Sequence, residues 1–306
     1  MYEKIVIVTR KTRLAELIER FNSRAQAKFY IEHAGGDFSE YVEEDSTYQK
    51  ALEKLRKSLD IGLKLQTIDR DFLPTFLFTE KDLIVTLGQD GLVANTAKYV
   101  TSQPIVAVNP DPSRFDGILL PFQLSQANKT VELVLQDKAK MKAVTLAEVN
   151  LNDGQRLLAF NDLFIGARTH VSARYCIKIG AISEVQSSSG VIVSTGAGST
   201  GWLSSIFNMT ASIALFAGGA KGREIKLSWG DPRLVFVVRE PFISKHSKAN
   251  LVVRMLEPGQ TLVLESLMPS GGVIFSDGVE ADYLPFNSGL IAKISASKNA
   301  AKLVVM

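Results

Sequence analysis

The sequence predicts an α/β domain built on a parallel sheet, followed by a β-rich, sandwich-like domain. Three observations carry this. Over the first 125 residues, short apolar runs alternate with stretches whose apolar residues recur at helical spacing. From about residue 126 onward, short runs of strand type separated by turn signals predominate. At 306 residues the chain is long for one core, so two domains, 1–125 and 126–306, are expected.

Lys4 to Val8 is an apolar strand, and Thr9-Arg10-Lys11-Thr12 follows it. Leu14, Leu17, Ile18 and Phe21 then lie on one face of a helix. Ala27 to Glu32 reads as a second strand, and polar Ala34 to Ser46 as a loop. Tyr48, Leu52, Leu55 and Leu59 mark another amphipathic helix. Leu83 to Leu87 is a buried strand that runs into Gly88-Gln89-Asp90-Gly91, after which Leu92 to Val100 reads as a helix. Pro104 to Asn109 is a further strand. Strands alternating with helices place ligands at the strand C-termini.

In the second half, Val131, Leu133 and Leu135 alternate with polar neighbours, and Met141 to Val149 is a long run of strand type. Asn152-Asp153-Gly154 signals a hairpin, answered by Leu157 to Ile165. Short strands are expected at Val191 to Ser194, Ile225 to Ser228, Leu234 to Val238, Leu251 to Leu256, Thr261 to Leu264, Gly272 to Phe275 and Leu290 to Ile294. Trp202 to about Ala217 is the one clear helical stretch there.

Composition narrows the function. A net charge of +3, with lysines and arginines scattered rather than clustered with aromatics, argues against a nucleic-acid partner. No run of about 18 apolar residues occurs, so no membrane span is expected. The single cysteine, Cys176, rules out an internal disulfide and points to a reducing, cytoplasmic setting. It lies in the alternation Tyr175-Cys176-Ile177 and reads as a core residue.

Three stretches can carry chemistry. A strand that ends in glycines and feeds a helix suits an anion, because the backbone can approach a ligand and the helix start offers unpaired N–H groups. At Gly88, Gln89 and Gly91 that anion would be phosphate, and Asp90 would act on a neighbouring hydroxyl or metal ion. A plain turn with Asp90 as helix cap is the alternative. Arg10 and Lys11 end the first strand, where they could meet the same phosphate or simply begin a solvated helix. Asn161-Asp162 could accept ribose hydroxyls or form a structural turn. In Ser194-Thr195-Gly196-Ala197-Gly198-Ser199-Thr200-Gly201-Trp202, a second strand ends in glycines and hydroxyls before a helix, which suits a phosphate or diphosphate.

Together these residues resemble the ATP-NAD kinase superfamily. Gly88-Gln89-Asp90-Gly91 is similar to its Gly-Gly-Asp-Gly loop, Asn161-Asp162 to its Asn-Glu pair, and Thr195 to Trp202, with Ser205, to its Thr-Pro-Thr-Gly-Ser-Thr-Ala-Tyr loop. The Ser-Thr-Gly-x-Gly-Ser version of that loop, Val108 to Pro112 and Val238 to Phe242 resemble the mitochondrial-type branch. Asp277-Gly278 matches a late Asp-Gly.

The resemblance implies an active site between an α/β and a β-rich domain. It implies transfer of a phosphate from ATP, with Mg²⁺ held mainly by the nucleotide's phosphates, to the 2′-hydroxyl of the adenosine ribose of NAD. Asp90 would be the base, Gly88, Gln89, Gly91 and Arg10 would meet ATP, and Asn161, Asp162, Thr195, Gly198, Ser199, Thr200, Gly201, Trp202 and Ser205 would bind NAD. Trp202 could stack on a base. A homodimer or higher homo-oligomer is implied as well. The chain departs from the pattern at Gln89, in place of the second glycine, at Leu92, in place of a threonine, and at Ser188-Ser189-Gly190, where many members carry an aspartate. Those departures keep open a nucleotide-binding protein with altered catalysis, or a kinase for a sugar or lipid hydroxyl.

Overall fold

The structure, a computed structural model, describes residues 2–220, 222 and 224–306. The chain forms two compact units, one of residues 1–142 and 302–306, the other of residues 143–301.

In the first unit, β1 (Lys4–Thr9) is followed by α1 (Arg13–Phe21), α2 (Arg24–His33) and α3 (Phe38–Ser58). Then come β2 (Lys64–Asp69), β3 (Asp82–Leu87), α4 (Asp90–Ala97), β4 (Pro104–Asn109), the two-residue β5 (Phe122–Gln123) and α5 (Leu124–Leu135). The strands are parallel in the order β2-β1-β3-β4, and the last residues of the chain add to β4, with Lys302 opposite Pro104 and Leu303 opposite Ile105. β3 and β4 are buried along their whole lengths, around the apolar runs Leu83 to Val85 and Ile105 to Val108.

Three expectations fail here. Ala27 to Glu32 is helix α2, because Ser23 caps Gln26 N at 3.2 Å and Ala27 and Ile31 bury one face four residues apart. Most of Ala34 to Ser46 is the first half of α3, capped by Asp37 on Ser39 N at 2.8 Å; Glu40 and Glu43 are exposed, while Glu44 and Asp45 bond Arg13 and Thr12 at the start of α1. Val131, Leu133 and Leu135 belong to helix α5, whose buried Ala127, Thr130, Val131 and Val134 follow helical spacing. β2 escaped notice because only Ile68 of its six residues is buried.

The second unit begins with β6 (Lys140–Leu151), β7 (Arg156–Ala159), β8 (Asp162–Ala167), β9 (Ala173–Ile179), β10 (Ile182–Ser188) and β11 (Val191–Ser194). Helix α6 (Trp202–Phe216) precedes β12 (Leu234–Val238), β13 (Val253–Leu256), β14 (Leu262–Ser266), β15 (Gly272–Ser276), β16 (Val279–Pro285) and β17 (Ile291–Val305). One sheet runs β10-β9-β14-β17 and takes in the β6–β7 hairpin; the other runs β13-β12-β11-β8-β15-β16. Their inner faces share a core that includes Tyr175, Ile177 and Leu264 from one sheet and Ile165, Val193 and Phe236 from the other. Leu203, on α6, packs over Val235 and Val237 on the opposite face of the second sheet.

The hairpin at Asn152-Asp153-Gly154 forms as expected, with Gly154 at φ 92°. Its answering run is two strands rather than one: β7 stays with β6, while β8 joins β11 and β15 in the other sheet. The break falls at Phe160-Asn161. Residues 225–228 are not a strand. Cys176 is half-buried beside Ser183 (3.2 Å), on the face of β9 opposite to buried Tyr175 and Ile177, so it is not a core residue.

Candidate active site

Each unit places one group of the expected residues at strand ends. In the first unit, β1 and β3 both finish at the glycine turn, with Val8 opposite Thr86 in parallel register. Tyr48 of α3 ties the two together: its hydroxyl donates to Leu87 O at 2.9 Å and accepts from Arg10 N at 3.1 Å. Burial pushes the Tyr48 hydroxyl up to about 12, so it stays protonated and can play both parts. The Arg10 guanidinium donates through Nη1 to Gln89 Oε1 and through Nε to Lys11 O at 3.2 Å. Lys11 instead pairs with Glu19 (2.7 Å) and Asp71 (3.2 Å).

Asp90 is the first residue of α4, and Gln89 stands at the cap position without a side-chain capping bond. The capping alternative for Asp90 therefore fails. Its carboxylate Oδ1 accepts instead from Leu119 N at 2.5 Å, in the segment that follows β4. That segment is held by Asn109, which donates to Phe115 O at 2.9 Å. The turn's two glycines differ. A Cβ at Gly88 would come within 2.7 Å of Leu92 Cδ2, so the buried Leu92 side chain would have to shift to admit one. A Cβ at exposed Gly91 would meet nothing within 4 Å. Between the turn, Arg10, Thr12, Tyr48 and Asp111 lies a pocket of about 20 Å³, room for one water.

In the second unit, three chain segments meet at one end of the six-stranded sheet. β8 starts at Asp162, opposite Ser194 at the end of β11, and β15 ends beside Leu163 of β8. The carboxylate of Asp277, which follows β15, accepts from Phe160 N (3.0 Å), Asn161 N (2.6 Å) and Asp162 N (3.4 Å). Asp277 sits at φ 54°, a backbone region that Asp tolerates better than most residues. The Asp162 carboxyl is buried, and desolvation, with the Asp277 charge next in size, pushes it up to about 7.

The 194–202 loop packs directly on this turn. Thr195 donates from N to Asn161 O (2.9 Å) and from Oγ1 to Phe160 O (2.6 Å). Gly198 lies so close that a Cβ would come within 2.1 Å of Asn161 O, and one at Gly196 within 1.9 Å of Ser228 O. Ser199 is buried, donating to Gly196 O at 2.8 Å and accepting from Leu227 N at 3.2 Å. Thr195, Gly198 and Ser199 thus build the loop, while Thr200, Gly201 and Ser205 are exposed.

Trp202 takes a different neighbourhood. Its ring stacks on Phe164 at 5.9 Å, and the Arg239 guanidinium lies 5.5 Å from the ring centre. These three line a cleft of about 720 Å³ with Phe275, Tyr283 and Arg168, whose guanidinium covers Tyr283 at 4.6 Å. Of the residues assigned to NAD, only Trp202 borders this cleft. Arg168 and Tyr283 were missed because a single arginine or tyrosine in strand-rich sequence carries no motif, and Arg239, within the Val238 to Phe242 stretch, was given no role; only the fold gathers the three.

No family model matches the chain. An NAD kinase from Chlorobium luteolum is 26% identical over 172 residues, 50% of this chain and 59% of that protein. One from Prosthecochloris aestuarii is 28% identical over 127 residues, 40% of this chain and 43% of that protein. The chain thus spans about half the length of the curated relatives it matches. Among solved structures, yeast NADH kinase complexed with NADH superposes with a TM-score of 0.59 at 18% identity, covering 100% of this chain and 84% of that one. An NAD kinase from Archaeoglobus fulgidus in complex with ATP gives 0.55 at 14% identity, covering 98% and 93%. The chain thus shares the fold of these kinases of known structure along its whole length, and is similar in sequence to curated NAD kinases over about half of it.

Proposed function

We propose that the protein is an NAD kinase, transferring the γ-phosphate of ATP to the 2′-hydroxyl of the adenosine ribose of NAD. The observation that carries this reading is Asp90: a carboxylate at the first position of a helix, after a buried parallel strand, oriented by Leu119 N rather than spent on a cap. In the reaction the ribose oxygen forms a bond to the γ-phosphorus, the bond from phosphorus to the β-phosphate oxygen breaks, and ADP leaves. Asp90 takes the hydroxyl proton. The remaining work is positioning and charge neutralisation. Gly91 leaves open space for a nucleotide, and Arg10 brings a cation to the same turn.

NAD binding is assigned to the second unit. Asn161 and Asp162 would hold a ribose, on a turn braced by Asp277 and by the Thr195–Gly198 loop. Exposed Thr200, Gly201 and Ser205, with Trp202, would line the dinucleotide site. Mg²⁺ would come with the phosphates of ATP, which are its usual ligands. Among the described residues no three His, Cys, Asp or Glu side chains gather that could hold it alone.

Relatives that carry ATP and NADH support both ligands. The single half-buried cysteine supports a reducing, cytoplasmic location. Among the described residues, no helix is long and apolar enough to cross a membrane. The exposed Met209, Ile213, Leu215 and Phe216 of α6 support a homo-oligomer that would cover them. Placement in the mitochondrial-type branch rests on the third loop and the Val238 to Phe242 stretch.

A second reading, nucleotide binding without transfer, draws on Leu92 packed over Gly88 and on the side chain at Gln89. A coupled assay of NADP formation with purified protein, NAD, ATP and Mg²⁺ separates the two. Turnover supports the kinase; tight ATP binding without NADP formation favours the second.

A further inference from the structure

After β12 the chain leaves its own sheet and runs along β10, the edge strand of the other sheet in this unit. Phe242 N donates to Ser187 O at 2.8 Å and Lys248 N to Val185 O at 2.9 Å. The far end is held by Glu184 of β10, a buried carboxylate that the chemistry above does not use. Its Oε1 accepts from Asn250 N (2.9 Å), Leu251 N (2.8 Å) and Gln186 Nε2 (2.6 Å), and its Oε2 from Asn250 Nδ2 (2.9 Å). A buried carboxylate needs such a set of donors, and here most of them come from the end of the 242–251 segment. The segment is therefore fixed at both ends.

Between the anchors the tip closes on itself. Ser247 Oγ donates to Phe242 O at 2.7 Å, Ser244 N to Ser247 O at 3.1 Å, and His246 N to Ser244 Oγ at 3.1 Å. The two serine hydroxyls share a further bond at 2.8 Å. The apolar residues are not folded in: Phe242 is 64% and Ile243 72% exposed. Lys245 and Lys248 are exposed beside them, with no ion-pair partner among the described residues. Between Glu240 and Glu257 the chain carries Lys245, His246, Lys248 and Arg254 and no acid. The tip thus turns its hydroxyls inward and presents two adjacent apolar side chains next to unpaired cations.

We propose that the 242–248 tip docks the protein reversibly on an anionic lipid surface. Phe242 and Ile243 enter the boundary between head groups and acyl chains, while Lys245 and Lys248 stay among the lipid phosphates. Apolar side chains next to lysines are the combination that interfacial anchors use, area and charge adding. Two observations favour lipid over a protein partner. Two adjacent apolar side chains are far fewer than the roughly 20–30 residues that each side of a stable protein interface supplies. The serine hydroxyls are already bonded within the tip, so an apolar medium can receive it without stranding them. The docking is independent of the reaction proposed above, and it needs no membrane-spanning helix.

The test is co-sedimentation of the full chain with vesicles of phosphatidylcholine, with and without phosphatidylserine, at low and high salt. Wild type should partition onto the phosphatidylserine vesicles and be released by salt. Lys245→Gln with Lys248→Gln should lower the partition by about twentyfold, at about fivefold per lysine near an anionic surface. Phe242→Ser with Ile243→Ser should lower it by roughly tenfold or more. Leu77→Ser, at an exposed leucine outside the tip, should leave it unchanged. Melting temperatures of all variants, measured without lipid, should stay near wild type, which keeps a folding defect apart from lost docking. Phe242→Trp should be quenched by brominated acyl chains, a readout of insertion. Wild type that binds both kinds of vesicle equally, or neither, overturns the proposal. So does binding that the Phe242→Ser, Ile243→Ser protein retains in full, since charge alone would then account for it. Wild type that self-associates through the tip, with the same variant restoring a smaller species and no vesicle binding, assigns the tip to a second copy of the chain and overturns the lipid reading as well.

Discussion

Asp90 is the residue on which the proposed reaction rests, and its environment separates two roles. A carboxylate that capped α4 would lose stability when altered, and Asp90 does not cap. As a base it should leave folding nearly intact in Asp90→Asn while lowering NADP formation roughly a hundredfold or more. Melting temperature and turnover measured on that one protein decide it; a variant with wild-type turnover removes the assignment. Asp162 makes a different prediction. Its folded-state value, about 7, lies above the ordinary 3.8. Between those values the folded protein binds a proton that the unfolded chain has released, so stability falls as pH rises from about 4 to 7 and levels off above. Asp162→Asn should flatten that slope and gain on the order of 2–4 kcal/mol at pH 8. Urea unfolding of the two proteins at pH 5 and pH 8 measures it; equal slopes would mean that Asp162 is ionised throughout.

At the scale of elements, the second-unit site is a junction of three strand ends held by backbone contacts. Asp277 contributes three of them, from outside the 160–162 turn. Asp277→Ala leaves those N–H groups without their acceptor and should cost about 1–3 kcal/mol, with faster amide exchange at Asn161 and Asp162. Gly198→Ala places a carbon where Asn161 O already is, and the carbonyl cannot yield without moving the turn. A loss of about 2–4 kcal/mol is expected from chemical denaturation. A neutral Gly198→Ala would show that the loop can slide off the turn.

On the scale of the whole molecule, the chain's last residues rejoin the first unit. Leu303 and Val304 are buried there, and the segment extends the parallel sheet at β4. Ending the chain after Ala301 should therefore loosen the first unit, by about 2–4 kcal/mol for two apolar side chains. The change should appear as faster amide exchange in β4 while the core of the second unit, around Tyr175 and Phe236, exchanges as before. Equal acceleration in both units would mean that they unfold as one.

Much of this protein was legible in the sequence because much of it is dictated locally. β3 and β4 are built around apolar runs, α1 has its helical stripe behind Thr12, and the hairpin at Asn152-Asp153-Gly154 needs a glycine at positive φ. Asp90 stood out because its position at the end of a buried strand offers a carboxylate no apolar packing role. α2 and β2 were misread or missed since their side chains are mostly exposed, and exposure removes the periodicity that burial imposes. The roles of the glycines were beyond reach for another reason. Gly196 and Gly198 are glycines because the carbonyls of Ser228 and Asn161 press on them, and such contacts exist only after distant segments have packed. The same holds for Asp277 under the Asn161 turn, for the Arg10–Gln89 hydrogen bond, and for the aromatic cleft around Trp202. Local sequence determines which segments are strands, helices and turns; which side chains face one another is settled by burial and register across the sheets, and so only in three dimensions.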